Sequence, residues 1–218
     1  MTLPFTSSDF FSVFARYNES VWPAQVILYV LAVISIVLAI RGTAAASRGV
    51  NAALAVMWFW MGVVYHAGFF ADINPVALIM AVAFVLQGVI FTALAVRRTP
   101  VVFATGRNSS AWIGGFLIVF GTVLYPLLSS AAGHSYPAQL TFGVPCPTTI
   151  FTLGIMAWGA ASLPRYAFVI PVLWTVVGTS AVLQLGVMED LGLAVAMIGT
   201  LAVIARPRRG RYAVGVTA

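Results

Sequence analysis

Few side chains in this sequence can do chemistry. The single cysteine, Cys146, stands between Pro145 and Pro147. As the N-cap of a helix it would meet the positive end of the helix dipole, which favours a thiolate able to hold a soft metal ion or attack an electrophile. A small buried hydrophobe is the plainer role for a lone thiol. His66 closes the run Trp58-Phe59-Trp60-Met61-Gly62-Val63-Val64-Tyr65-His66. Inside so apolar a stretch it calls for a functional partner, or for a helix-to-helix hydrogen bond to a Tyr, Gln or Thr. His134 opens the loop 133–147, GHSYPAQLTFGVPCP, where solvation is the ordinary state of a histidine. The pair Glu189–Asp190 reads as the polar cap of a tight turn or as an attractor of cations, with Arg16 as a counter-ion. Thr148, Thr149 and Thr152 follow the cysteine. Thr148 and Thr152 share a helix face, where hydroxyls line a cavity or bond to their own helix. With Tyr65, these nine residues form the candidate ligand-binding set. Cys146, His66 and His134 are its candidate metal ligands, a mixed donor set suited to Cu(I), Zn(II) or Hg(II).

What is missing prunes the chemistry further. All eleven basic residues are arginine, which excludes a lysine Schiff base. One cysteine allows neither an intrachain disulfide nor a Cys-x-x-Cys pair. Two histidines cannot supply a three-histidine metal site or, at their positions, a His-x-x-x-His helix.

The elements that position these residues are dictated by composition. Of 218 residues, 61% are hydrophobic and 7% charged, and the mean hydropathy is +1.03. A soluble domain carries about 25% charged residues. A soluble enzyme, a nucleic-acid module and a disordered tail are excluded, and lipid is the expected surroundings. At about 20 apolar residues per crossing, seven spans emerge: 23–40, 51–71, 76–96, 111–131, 148–163, 167–186 and 191–205. Pro23, Pro75 and Pro147 suit first-turn positions, Asn74 suits an N-cap, and Pro164 and Pro207 close their segments. Pro126 and Pro171 predict kinks within the fourth and sixth spans. Residues 6–20 read as a short interfacial helix, with capping-box spacing at Thr6 and Asp9 and with Phe10, Phe14, Tyr17 and Val21 at helical intervals.

Charge sets the orientation. Arg41 and Arg48, then Arg97, Arg98 and Arg107, then Arg165, then Arg206, Arg208, Arg209 and Arg211 fall in alternate connections. The positive-inside rule makes that side cytoplasmic. A six-span alternative with a re-entrant last segment would put the final cluster outside. The first run, followed by Arg41 and preceded by a long non-basic segment, has the pattern of an N-out anchor rather than of a signal peptide. The expected fold is an all-α polytopic bundle of seven transmembrane helices, N-terminus outside and C-terminus cytoplasmic. It comprises one transmembrane unit over 1–205 and a basic cytoplasmic tail over 206–218. The tail's arginines read as topology anchors that also touch anionic headgroups.

On this plan all five acids, both histidines and the cysteine collect at the outer side. The uncharged loop 133–147, with Leu140, Phe142 and Val144, is expected to fold back as a lid over the outer mouth. No Asp, Glu or Arg falls at mid-depth of a span, which disfavours a carrier coupled to protons or sodium.

Several strings carry a resemblance. They are Arg16-Tyr17-Asn18-Glu19 with Trp22-Pro23-Ala24-Gln25, Tyr65-His66 through Phe69-Phe70 to Ile73-Asn74-Pro75, Gly133-His134-Ser135-Tyr136-Pro137, and the run from Thr141 through Cys146 to Thr152. The chain resembles, over nearly its whole length including Glu189-Asp190, an uncharacterised family of bacterial multi-pass membrane proteins, a domain of unknown function loosely labelled permease. The resemblance implies a bacterial plasma membrane and brings no assigned chemistry.

Three functions compete. The first is outer-face binding, with movement, of a small solute or soft metal ion. The second is a non-catalytic sensor or accessory subunit, as a homo-oligomer or within a membrane complex. The third is a membrane-embedded hydrolase dependent on Cys146 or on a metal ion. The lipid bilayer is the common partner, and nucleic acid is not expected.

Overall fold

The computed structural model describes residues 4–103 and 105–206, so Arg208, Arg209, Arg211 and the rest of the basic tail after Arg206 lie outside the described residues. Among the described residues every regular element is helical: α1 (Ser7–Ser20), α2 (Ala24–Arg41), α3 (Ala44–Trp60), α4 (Ala77–Val96), α5 (Ser109–Val119), α6 (Tyr125–Ala131), α7 (Pro145–Gly159), α8 (Val169–Leu185) and α9 (Leu191–Ile204). Five helical rods are long and apolar enough to cross a membrane: Ala24–Arg41, Ala44–Asp72, Ala77–Val96, Ser109–Ala131 and Arg165–Leu185. α7 and α9, at 15 and 14 residues, are shorter.

Local chemistry accounts for the boundaries. The expected capping box forms: the Thr6 hydroxyl accepts the Asp9 N–H at 3.2 Å, and the Asp9 carboxylate accepts the Thr6 N–H at 2.9 Å. α2 ends where Gly42 takes φ +64°, a left-handed conformation that glycine adopts without a Cβ penalty. Three expectations are corrected. Thr43 caps α3, so this helix starts at Ala44 rather than at residue 51, and Arg48 lies on the helix instead of in a connection. Pro171 is the third residue of α8, in the first turn where α-helical N–H groups have no partner within the helix, so it falls at the start of the helix rather than its interior; the Ala167 carbonyl four residues earlier accepts the Gln87 amide at 3.0 Å instead. α7 opens with Pro145 after an extended Val144 at the N-cap position, which makes Cys146 its second residue and not its cap.

Pro126 does interrupt its rod. A π turn, Phe120–Leu124, joins α5 to α6 just ahead of it. The missing Pro126 N–H leaves the Thr122 carbonyl without its helical donor. The Tyr29 hydroxyl of α2 donates to that oxygen instead, at 3.2 Å. A second π turn, Met61–Ala67, continues α3 and faces Tyr65 and His66 inward.

α7 is the centre of the bundle. Only Cys146 and Trp158 of its 15 residues are not fully buried. α2, by contrast, exposes Val26, Ile27, Val30, Val33, Ile34, Val37 and Ile40 along its outer faces. Apolar exposure on that scale suits lipid rather than water. α5 and the π turn after it reach α7 through glycine: a Cβ on Gly114 would stand 2.6 Å from the Gly154 carbonyl oxygen, and one on Gly121, in the π turn, would stand 2.5 Å from the Pro147 oxygen. Close backbone approach of this kind is how helices associate where both they and their solvent are apolar.

Contacts between distant segments define two ends. At one, Arg206 donates to Ser110 at 3.2 Å, and Val102 and Ser162 exchange hydrogen bonds at 2.9 and 2.8 Å. At the other, α1 covers the loop between α6 and α7. Asn18 donates to the carbonyls of Pro137 and Gln139 at 2.7 and 2.8 Å, and Leu140, Phe142 and Val144 are buried beneath. Gly154→Val is expected to destabilise the detergent-solubilised chain by about 1–3 kcal/mol. Gly115→Ala, within α5 and with nothing within 4 Å of the added Cβ, is expected to raise the midpoint modestly, through about 0.5–1 kcal/mol of helix propensity. Equal midpoints for the two variants would show that the α5–α7 approach is not tight.

Candidate functional site

The site lies at the α1 end, where several elements converge. α1 presents Phe10 and Phe14 inward because these residues fall on the face opposite its charges. The π turn of α3 turns Tyr65 toward them, with the Phe14 and Tyr65 rings 5.5 Å apart and stacked. Phe70, from the short 3-10 turn after it, stacks on Tyr65 at 5.8 Å. α8 contributes Trp174, and the turn between α8 and α9 contributes Asp190. Together they enclose a cavity of about 120 Å³ that Cys146 also lines. Its walls are aromatic and its polar groups few, the usual make-up of a small-molecule pocket.

Asp190 is the focal group. It is fully buried; its Oδ1 accepts the Tyr125 hydroxyl at 2.5 Å, its Oδ2 accepts no N–H or O–H, and the Cys146 thiol lies within hydrogen-bonding reach of the carboxyl. Burial pushes its carboxyl from an ordinary 3.8 up to about 7. Hydrogen bonding from Tyr125 and Cys146 opposes that rise, and the neighbouring Glu189 charge adds to it.

The candidate residues divide into separate groups. Tyr65, Cys146 and Asp190 line the cavity. His66 does not; it sits behind Trp174, with ring centroids 5.1 Å apart, and behind Phe84 at 4.6 Å. Neither of its nitrogens has a partner, so the expected helix-to-helix hydrogen bond is absent. His134 stacks on Phe11 at 3.8 Å and faces Glu189, whose Oε1 is 3.7 Å from His134 Nδ1. Arg16 pairs with Asp72 at 3.2 Å, both half exposed, rather than with Glu189 or Asp190. Sequence separation concealed this, because the 3-10 turn carries Asp72 back over α1. Thr148 accepts the Gly143 N–H at 3.0 Å. Thr152 accepts the Trp58 indole at 3.2 Å and donates to the Thr148 carbonyl at 2.8 Å. Their hydroxyls therefore hold the loop and the helix rather than line the cavity. Thr149 is buried with its hydroxyl unpartnered. Among the described residues no three of His, Cys, Asp and Glu gather closely enough to hold a metal ion.

Residues 7–213 match a protein family described as a "Family of unknown function (DUF6064)". The chain belongs to that family. No curated protein and no solved structure matches it. The DUF6064 match takes in all the polar groups of the cavity and leaves out only Phe5 among its lining residues.

Sequence reasoning missed Tyr125 and Trp174, the groups that hold Asp190 and wall the cavity. Neither carries a motif. Proximity of Tyr125 to Asp190 depends on the π turn before Pro126, and the only available signal was that proline.

The Asp190 shift has a stability consequence. Asp190 lies in the turn between α8 and α9. The folded chain keeps a proton there that the unfolded chain releases above 3.8. Its contribution to stability is therefore full below about pH 4 and declines as pH rises toward about 7. The wild-type thermal midpoint in detergent is expected to fall relative to that of Asp190→Asn over this range and to run parallel above it. A constant difference between the two from pH 4 to 8 would contradict the assignment.

Proposed function

We propose that this chain is a seven-span protein of a bacterial plasma membrane, N-terminus outside, that captures a small solute at its outer mouth. Two features support seven crossings despite five long helices. α7 is enclosed by the other helices, so at roughly 22 Å for 15 residues it need not match the thickness of the lipid. α9 begins from a 3-10 turn, Met188–Asp190, that is itself drawn inward, with Glu189 and Asp190 buried. The ends of the bundle carry opposite charge. Arg41, Arg97, Arg98, Arg107, Arg165 and Arg206 flank the end where Ser110, Ser162 and Val102 meet, while Asp9, Asp72, Glu189 and Asp190 lie at the α1 end. With the positive-inside rule, the α1 end faces out.

The observation that carries solute capture is the cavity itself: about 120 Å³ with largely aromatic and apolar walls, beside a buried carboxyl, Asp190, whose Oδ2 accepts no N–H or O–H. A buried polar group without a partner costs about 1–3 kcal/mol, and a bound ligand would offset that cost. The dispersal of Cys146, His66 and His134 favours an organic solute over a soft metal ion.

Cys146 lines the cavity and is the only thiol, which gives a direct test. In spheroplasts a small membrane-impermeant methanethiosulfonate added outside is expected to modify Cys146. Ala181→Trp, which fills the cavity from α8, is expected to slow that reaction by roughly tenfold or more. Modification only after membrane disruption would refute the outward mouth. An unchanged rate in Ala181→Trp would refute access through the cavity.

A further inference from the structure

A second recess lies toward the arginine end of the bundle. α5 and α9 leave between them a groove of about 440 Å³, with Trp112, Ile113 and Phe116 of α5 on one side and Val195, Ile198 and Gly199 of α9 on the other. No charged, hydroxyl or amide side chain lines it. Trp112 is 76% exposed and Ile198 65%, so no described part of the chain covers the groove. Its basic end is set by helical spacing. Val195, Gly199 and Arg206 fall on one face of α9, and helical hydrogen bonding continues to the Arg206 N–H, which reaches the Val203 carbonyl at 3.4 Å. The Arg206 guanidinium donates to Ser110 at 3.2 Å and so ties α9 to the start of α5, roughly 10 Å along the helix from Gly199. Arg107 is exposed just ahead of α5. Neither arginine makes an ion pair among the described residues, and the sequence has no Asp or Glu between Asp72 and Glu189 or after Asp190.

Two arginines without a carboxylate, at the end of an uncovered apolar groove, are complementary to a molecule with an anionic head and a hydrocarbon chain. Basic sites between transmembrane helices at the cytoplasmic boundary are places where anionic headgroups bind, and long arginine side chains reach that boundary from the helix ends. A zwitterionic headgroup would bring a cation of its own to the same arginines. A second copy of the chain, docked on this groove about an axis along the membrane normal, would set these arginines against their own counterparts. We propose that the α5–α9 groove binds one anionic phospholipid, its phosphate against Arg206 and Arg107 and an acyl chain along the groove. The inference rests on the reading of the chain as membrane-spanning and not on the outer cavity.

The test is native mass spectrometry of the full chain, purified in detergent and delipidated, titrated with dioleoylphosphatidylglycerol or with dioleoylphosphatidylcholine. The two lipids share their acyl chains and differ in net charge. Phosphatidylglycerol is expected to bind saturably, one molecule per chain, and at least about fivefold more tightly than phosphatidylcholine. The double variant Arg107→Gln/Arg206→Gln, which changes only exposed side chains and keeps the rest of the basic tail, is expected to bind phosphatidylglycerol at least about fivefold more weakly. Val195→Trp, whose ring fills the groove from an exposed position, is expected to weaken phosphatidylglycerol by about tenfold while the chain stays monodisperse and helical. Equal binding of the two lipids, no saturable binding, or an unchanged affinity in either variant would overturn the assignment. Displacement of the lipid by inorganic phosphate, or a lipid-free dimer that Val195→Trp disrupts, would overturn it too. None of these outcomes alters access to Cys146, so solute capture at the outer cavity is tested apart from it.

Discussion

A helix enclosed on every side cannot leave its ends unsatisfied, and that constraint on α7 governs this molecule. With 15 residues it is too short to bring both termini to the edges of the bundle, so the chain leading into it must run through protein. Each polar group on that path then needs a partner from the chain itself. Asn18 of α1 donates to Pro137 and Gln139 and accepts the Thr141 hydroxyl at 3.1 Å. Ser129 takes the Leu140 N–H at 3.2 Å, Thr148 takes the Gly143 N–H, and Gln139 donates to the Pro126 carbonyl at 2.9 Å. α1 is thus more than an interfacial ornament. Its Asn18 and Tyr17 are structural partners of the sunken loop, with the Tyr17 hydroxyl bonded to the Gly143 carbonyl and the Trp60 indole.

The cavity is a consequence of the same arrangement. α1 must lie across the loop to satisfy it, and in doing so its aromatic stripe roofs the space between the π turn of α3 and α8. The turn before α9 is drawn down beside Cys146 at the start of α7, which buries Glu189 and Asp190 in positions that water would otherwise stabilise. The buried carboxyl of Asp190 is held by a hydrogen bond from Tyr125 and by the Cys146 thiol, at the edge of the cavity. Retaining such a group costs stability, and ligand capture is a physical reason to retain it.

Much of this was legible in the residues. The helical class, the capping box at Thr6 and Asp9, the inward-folding loop with Leu140, Phe142 and Val144, and the collection of acids at one end all follow from local chemistry or hydropathy. The contents of the site were legible only in part. Tyr65, Cys146 and Asp190 stood out because they are rare polar groups in apolar runs, and they do meet. His66 stood out for the same reason and does not join them, because one π turn sets which face of a helix a residue occupies, and no periodicity announces that turn. Tyr125 and Trp174 looked like ordinary aromatic residues of a membrane helix. Their roles arise from packing between segments 65 and 108 residues apart, which the sequence pattern does not encode.

The central claim is that Asp190 is a buried carboxyl at the edge of the outer cavity that keeps its proton at a pH where an exposed one is charged. Infrared difference spectroscopy of the detergent-purified wild type against Asp190→Asn near pH 6 tests it most directly. Because burial raises the Asp190 carboxyl to about 7, the wild-type chain carries a protonated carboxyl band at that pH. The account predicts that this band is absent from Asp190→Asn and is lost from the wild type as pH rises through about 7. A wild type without the band at pH 6, or a band of the same size in Asp190→Asn, would contradict it.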